Sequence, residues 1–472
     1  MKSFLLTLCT TTLFILPVIA ETTVGTDAQK RLDIVIYNSD RALIKDSRSV
    51  TTQQGINEIA FAGISAQIIP ESVLISGNNI RFLENNFNYD TLSYESLLEK
   101  SIGDIVTIEQ INPKTGVTEI QHGELLALNG TQPILRINGK IDSSNSGRIL
   151  FNSIPPNLRA KPTLVMHIES DKGENKDLTL NYMSRGLSWD ANYVAQLNSD
   201  DTTMTLNGWV SLTNNSGTDY KKANLQVVAG DVHVVRQVMP RLLKANYLMD
   251  MAAPENAVTM GAENIADFHL YTLPRQTDIL SRQTKQVSLL SADNIGIQKK
   301  YLFNNQLKPY NNIKQIKPQI EITFMNTKEN QLGIALPRGT IRLYKEDAQG
   351  RMIFVGEDRI NHTGNLEEVR LNMGTAFDIS ANARLVSSIQ PAKGITEKEY
   401  EVVIKNGSQQ NVSVTIWENF NGRWRILKEN HPSQQLSAHQ AEWIISVPAG
   451  GESILNYQVQ ERTPINDDKE NK

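Results

Sequence analysis

The stretch from Arg185 to Val232 limits what this chain can become more than any other. Apolar residues recur there at every second position, stop at a turn cluster, and resume. Leu187, Trp189, Asn192–Val194 and Leu197 form one run. Met204, Leu206, Trp209, Val210 and Leu212 form the next, and Leu225, Val227 and Val228 a third. Asn198-Ser199-Asp200-Asp201 and Asn214-Asn215-Ser216-Gly217 separate them. Asn and Asp suit turns because their side chains hydrogen-bond the nearby backbone and tolerate positive φ. Period-two spacing sends alternate side chains to opposite faces of a strand. Strands this short, with turns every 8–12 residues or so, fold as sandwiches or barrels. Trp189 and Trp209 are expected to fill the space between sheets.

The same pattern runs through most of the sequence and predicts a mainly β fold. Antiparallel, immunoglobulin-like sandwiches are expected, with a small barrel-like β insert and one or two short helices. Residues 21–102 read as a β-meander, with Leu32, Ile34 and Ile36 opening it, followed by a short helix over Ser93–Lys100 that Ser93 can cap. Residues 103–152 read as the insert, with turns at Asn112-Pro113, Asn129-Gly130 and Asn138-Gly139. Residues 153–305 read as a first sandwich carrying a long, Met- and Ala-containing loop at 236–265. Residues 318–462 read as a second sandwich, and 463–472 as a charged, disordered tail.

Export is the expectation for residues 1–20. Lys2 supplies a positive start, Phe4–Leu16 an apolar core and Val18-Ile19-Ala20 a cleavage site, which makes Glu21 the first mature residue. The single cysteine, Cys9, lies within this segment and lacks the small preceding residue of a lipid-anchor site. The mature chain then has no disulfide or thiol chemistry and relies on core burial. No other stretch approaches the roughly 20 apolar residues of a membrane span. With 47 basic and 51 acidic residues the formal charge is −4, so no basic face recommends nucleic acid as a partner. The periplasm or the cell surface is the expected location.

Gly186-Leu187-Ser188-Trp189, Leu206-Asn207-Gly208-Trp209-Val210-Ser211-Leu212, Asn215-Ser216-Gly217 and Leu225-Gln226-Val227-Val228-Ala229-Gly230-Asp231-Val232 carry a resemblance. His269-Leu270-Tyr271-Thr272-Leu273-Pro274, Thr284-Lys285-Gln286, Leu336-Pro337-Arg338-Gly339 and Gly356-Glu357-Asp358 extend it. From about Leu32 to Gln460 the chain resembles a bacterial exported family of unknown function, related to the mucoidy-inhibitor-like proteins. The resemblance implies a β-rich, multi-sandwich fold and brings no catalytic residues. His233 stands where that pattern more often has a residue such as Asn.

Chemistry-bearing motifs are sparse. Asp231 and His233 would share one face of a strand, and His269 could join them as a metal site. Neither His-x-His nor His-Glu-x-x-His occurs, and Gly-x-Ser-x-Gly is absent. The pairs Glu357-Asp358 and Glu367-Glu368 would point to opposite strand faces and so form no catalytic dyad. No cofactor motif is present. Trp417 and Trp443 read as core, whereas Trp424, after the Asn419-Phe420-Asn421-Gly422 turn, is the candidate binding residue, with Phe420 and Arg423 beside it. The leading reading is an exported cell-envelope protein that binds or builds, with an envelope protein or a glycan as partner. The rival is an envelope hydrolase or carbohydrate-active enzyme whose site is assembled from distant residues.

Overall fold

The computed structural model describes residues 20–88, 90–112, 115–143, 147–155, 158–230, 260–265, 268–310 and 312–462. The expected leader, the tail and most of the long loop lie outside these. Strands account for 66% of the structure and helices for 3%, so the fold is mainly β. The chain divides into two compact units. The first takes residues up to Trp189, Leu212–Val228 and Arg275–Lys285. The second takes Asp190–Ser211 and the described parts of Ala229–Pro274 and Gln286–Lys472.

In the first unit, one sheet runs in the order Glu21–Val24, Gly55–Ala62, Thr163–Ser170 and Ile80–Asn88. A second, eight-stranded sheet contains the run Tyr220–Ala229, Gln29–Tyr37, Arg41–Thr51, Asn175–Ser184 and Leu74–Ser76. Ile34, Ile36 and Ile44 of the second sheet, and Ile59, Phe61 and Leu164 of the first, are fully buried, as alternation along each strand requires. Two polar residues share this parity. Asp46 and Arg48 also point inward, paired at 2.7 Å. Arg48 Nη1 donates to the carbonyls of Val24 and Ala62, joining the two sheets, and its guanidinium lies 4.9 Å from the Phe61 ring centroid.

The sheets are mixed. Gly55–Ala62 runs parallel to Glu21–Val24, and Tyr220–Ala229 parallel to Gln29–Tyr37, beside antiparallel neighbours. Alternation fixes the face of each residue but not the direction of the neighbouring strand. Ile80–Asn88 and Thr163–Ser170 pair antiparallel with Asn88 opposite Thr163, and the insert occupies the chain between them. The insert is an open antiparallel sheet, ordered Lys140–Asp142, Gln132–Ile137, Thr118–Asn129, Ile105–Ile111 and Arg148–Leu150. It does not close into a barrel: among the described residues, no pairing joins its two outer strands.

In the second unit, a sheet runs Gln283–Gly296, Thr203–Asn214, Leu187–Leu197, Gly339–Glu346 and Met352–Ile360. Leu187–Leu197 and Gly339–Glu346 are parallel, with Ala191 opposite Gly339. A Cβ at Gly339 would stand 2.3 Å from the Ala191 carbonyl oxygen, so this motif glycine permits the close approach. Gly261–Ile265, at the end of the expected loop, is a strand antiparallel to Phe268–Thr272. The C-terminal sandwich packs a six-stranded sheet, which includes Val412–Asn419 and Gln440–Val447, on a five-stranded one, which includes Ile395–Asn406 and Glu452–Arg462. Trp443 and Tyr400 flank Tyr457 at its centre, at ring distances of 4.7 and 5.2 Å.

Two tryptophans differ from expectation. Trp189 is buried, and its Nε1 donates to the Val228 carbonyl at 3.2 Å. Trp209 is only half-buried, because the inward positions of its strand are the even-numbered ones: Leu206, Gly208 and Val210. Trp417 is likewise half-buried, its Nε1 bonded to Glu442. The inward position beside it belongs to Glu418.

Candidate binding groove

The helix Tyr94–Lys100 forms because Ser93 caps it. Ser93 Oγ accepts from the Ser96 backbone N–H at 3.0 Å and pairs with the Ser96 hydroxyl at 2.9 Å. Seven residues cannot hold a helix unaided, so packing must stabilise it. Leu98 provides that packing. It is fully buried in the insert's core with Val106, Ile108, Leu125, Leu135 and Ile149. Tyr94 lies one turn before Leu98, and Leu97 lies one turn after Tyr94, so Tyr94 and Leu97 share a face of the helix.

The strand Arg148–Leu150 is the last in the insert sheet and, among the described residues, pairs only with Ile105–Ile111. Ile149 points into the core, so Arg148 and Leu150 face the other way. Between this strand and the helix lies a groove of about 740 Å³. Leu97, Leu150 and Phe151 are half-buried in it. Leu92, Tyr94 and Ile154 are 40%, 53% and 60% exposed. Tyr94 meets Phe151 edge-to-face at 6.2 Å, which holds the helix side against the strand side. Arg148 stands at the groove with its side chain 77% exposed and its nearest carboxylate, Glu109, at 3.9 Å. The arrangement can accept apolar side chains and one negative charge. It contains no nucleophile–base pair.

Sequence reasoning did not find this groove. The expectation for this region is a short helix over Ser93–Lys100 and nothing beside it. The available signal was the apolar residue in Asn152-Ser153-Ile154-Pro155, a segment with no strand to bury it.

Of the candidate residues named from sequence, the described ones, Phe420, Arg423, Trp424 and His269, lie in the second unit. Phe420 is buried beneath Lys308, whose Nζ is 4.5 Å from the ring centroid. Trp424 is half-buried, 4.8 Å from Phe420, with its Nε1 donating to the Ala438 carbonyl at 2.8 Å. Arg423 is exposed. Phe420 and Trp424 therefore meet, and of the three Arg423 is the exposed one. His269 lines a small cavity of about 250 Å³ with Gly230, Tyr271, Pro337, His362 and Glu367. Asp231 and His233 lie outside the described residues. Among the described residues, no group of three His, Cys, Asp or Glu side chains is placed to hold a metal ion.

Glu418 went unnoticed in the sequence. It is fully buried near the C-terminal end of Val412–Asn419, and one oxygen accepts from the Leu307 N–H at 2.8 Å. The other has no hydrogen-bond partner, and Lys308 is 3.9 Å away. Burial pushes its carboxyl up from 4.5 to about 7 against the pull of that N–H and of Lys308.

Several motif residues meet in the structure. The Asn215 N–H donates to the Gly186 carbonyl at 2.6 Å, and Gly186 has φ +80°. A Cβ there would fall 2.8 Å from the Ser216 backbone. Tyr193 and Tyr271 hydroxyls donate to the carbonyls of Pro337 and Ala335, each at 2.7 Å. These contacts explain the motifs as scaffold. No curated protein matches the chain. The model of a domain of unknown function, DUF4139, matches residues 178–465, well over half of the 472 residues, and the chain belongs to that family.

Proposed function

We propose that this is an exported cell-envelope protein that works by binding another envelope component rather than by catalysis. The observation that supports the reading is the groove beside Tyr94–Lys100, where Leu92, Tyr94 and Ile154 keep much of their surface in water. Exposing apolar area forgoes about 25 cal/mol for each Å² left unburied, so a groove of this kind favours an occupant. Its volume falls within the roughly 300–1,000 Å³ usual for binding sites. Export rests on the pattern of residues 1–20.

The test is site-specific photo-cross-linking in cells of the source bacterium. A benzophenone amino acid replaces Tyr94, and a second sample carries it at Lys140, on the far edge of the insert. A discrete adduct from position 94, absent from position 140 and recovered with the envelope fraction, is the expected result. No adduct at either position would reject the binding role, and recovery of unprocessed chain in the cytoplasm would reject export.

A further inference from the structure

We infer that the groove takes an extended segment of another protein, which pairs as an added strand along Arg148–Leu150 and sets an acidic side chain against Arg148. The inference rests on the binding role proposed above and names what is bound.

Three features lead to a strand. Among the described residues, Arg148–Leu150 is an edge, paired on one side only, and the groove opens along its other side. An edge presents backbone donors and acceptors that another extended chain satisfies directly, whereas an acyl chain leaves them unmet. The groove also runs between this edge and a helix, so an added strand would carry every second side chain toward Leu92, Tyr94, Leu97 and Ile154. Finally, among the described residues lining the groove, Arg148 alone is charged. Its contact with Glu109 is at the limit of an ion pair, so a carboxylate on the incoming strand can approach it more closely. A glycan would require polar side chains along the walls, and these walls are mainly apolar.

The edge is only three residues long, so an added strand gains about two backbone hydrogen bonds, worth roughly tenfold in affinity together. The remaining affinity comes from apolar burial.

The experiment pans the full chain against a display library of short random peptides, resynthesises the best binder, and measures its affinity by isothermal titration. A copy of that peptide with alternate amides N-methylated keeps every side chain but loses the backbone donors. The inference expects alternating apolar residues with an acidic residue among the binders, and roughly tenfold weaker binding for one of the two N-methyl registers. It also expects the charge preference of the selected peptides to reverse for Arg148→Glu. Equal affinity for both N-methylated peptides would overturn strand addition while leaving a binding groove intact. Self-association of the pure chain that Tyr94→Glu abolishes would also overturn it, in favour of a second copy. Failure to select any peptide, together with no adduct from position 94, would remove both the inference and the reading beneath it.

Discussion

Replacing Glu418 with Gln should flatten the pH dependence of the C-terminal sandwich. Glu418 occupies an inward position of Val412–Asn419, where burial raises its carboxyl from 4.5 to about 7. Between those values the folded chain holds a proton that the unfolded chain has released. The folded state therefore binds more protons, and stability falls as pH rises. The favourable contribution is complete below about pH 4.5 and is lost as pH passes about 7. At about 1.36 kcal/mol per pH unit, the wild-type chain should lose about 3 kcal/mol across this window through Glu418 alone. Glutamine keeps the acceptor for the Leu307 N–H and cannot titrate. It leaves an unpaired buried amide, a pH-independent penalty of about 1–3 kcal/mol. The difference between the two chains should thus change by about 3 kcal/mol from pH 4.5 to pH 8. Urea unfolding at stepped pH, followed by tryptophan fluorescence, measures it, because Trp443 lies in the same core. Parallel stability curves for the two chains would refute the reasoning and show that Glu418 stays ionised in the folded state.

Arg48→Met should destabilise the first unit by about 3–5 kcal/mol, since it leaves the Asp46 carboxylate buried without its partner; adding Asp46→Leu should recover part of the loss, and thermal unfolding of both variants reads it. Gly339→Ala should lower stability by about 1–3 kcal/mol, because the new methyl would stand 2.3 Å from the Ala191 carbonyl oxygen and must push two paired strands apart; the check is a shifted unfolding midpoint in urea. Tyr94→Ser should change the stability read from urea unfolding by under about 1 kcal/mol, since the ring is 53% exposed, yet should lose any envelope partner captured by the wild-type chain.

Much of the architecture was readable because alternation along a strand is local. Leu187–Leu197 shows its buried and exposed faces in the order the sequence suggests, and Ser93 caps its helix as its position before Tyr94 requires. Side-chain type misled where parity decided. Trp209 and Trp417 are large and apolar, yet they occupy outward positions, while Gly208 and Glu418 take the inward ones. A shift of one residue exchanges the two faces, and a bulky residue does not itself fix that choice. Arg48 was illegible for the same reason: its partners, Asp46 and the Val24 and Ala62 carbonyls, come together only when two sheets meet. Parallel neighbours such as Leu187–Leu197 and Gly339–Glu346 are separated by long stretches of chain, which no local pattern encodes. The groove has the same origin, since Tyr94 and Ile154 face each other only after the insert sheet has formed between them.

The insert leaves and rejoins its parent sheet at one spot. Asn88 and Thr163 are directly opposed on antiparallel strands, and nearby the Leu92 N–H donates to the Arg159 carbonyl at 2.9 Å. Topologically, everything between them is the tip of a hairpin, grown large enough to have its own core. A tight two-residue turn could close that hairpin instead, and the strands beneath would lose none of their ladder. Removing the whole appendage at that point should therefore leave the sheet that carries it with its pairing intact.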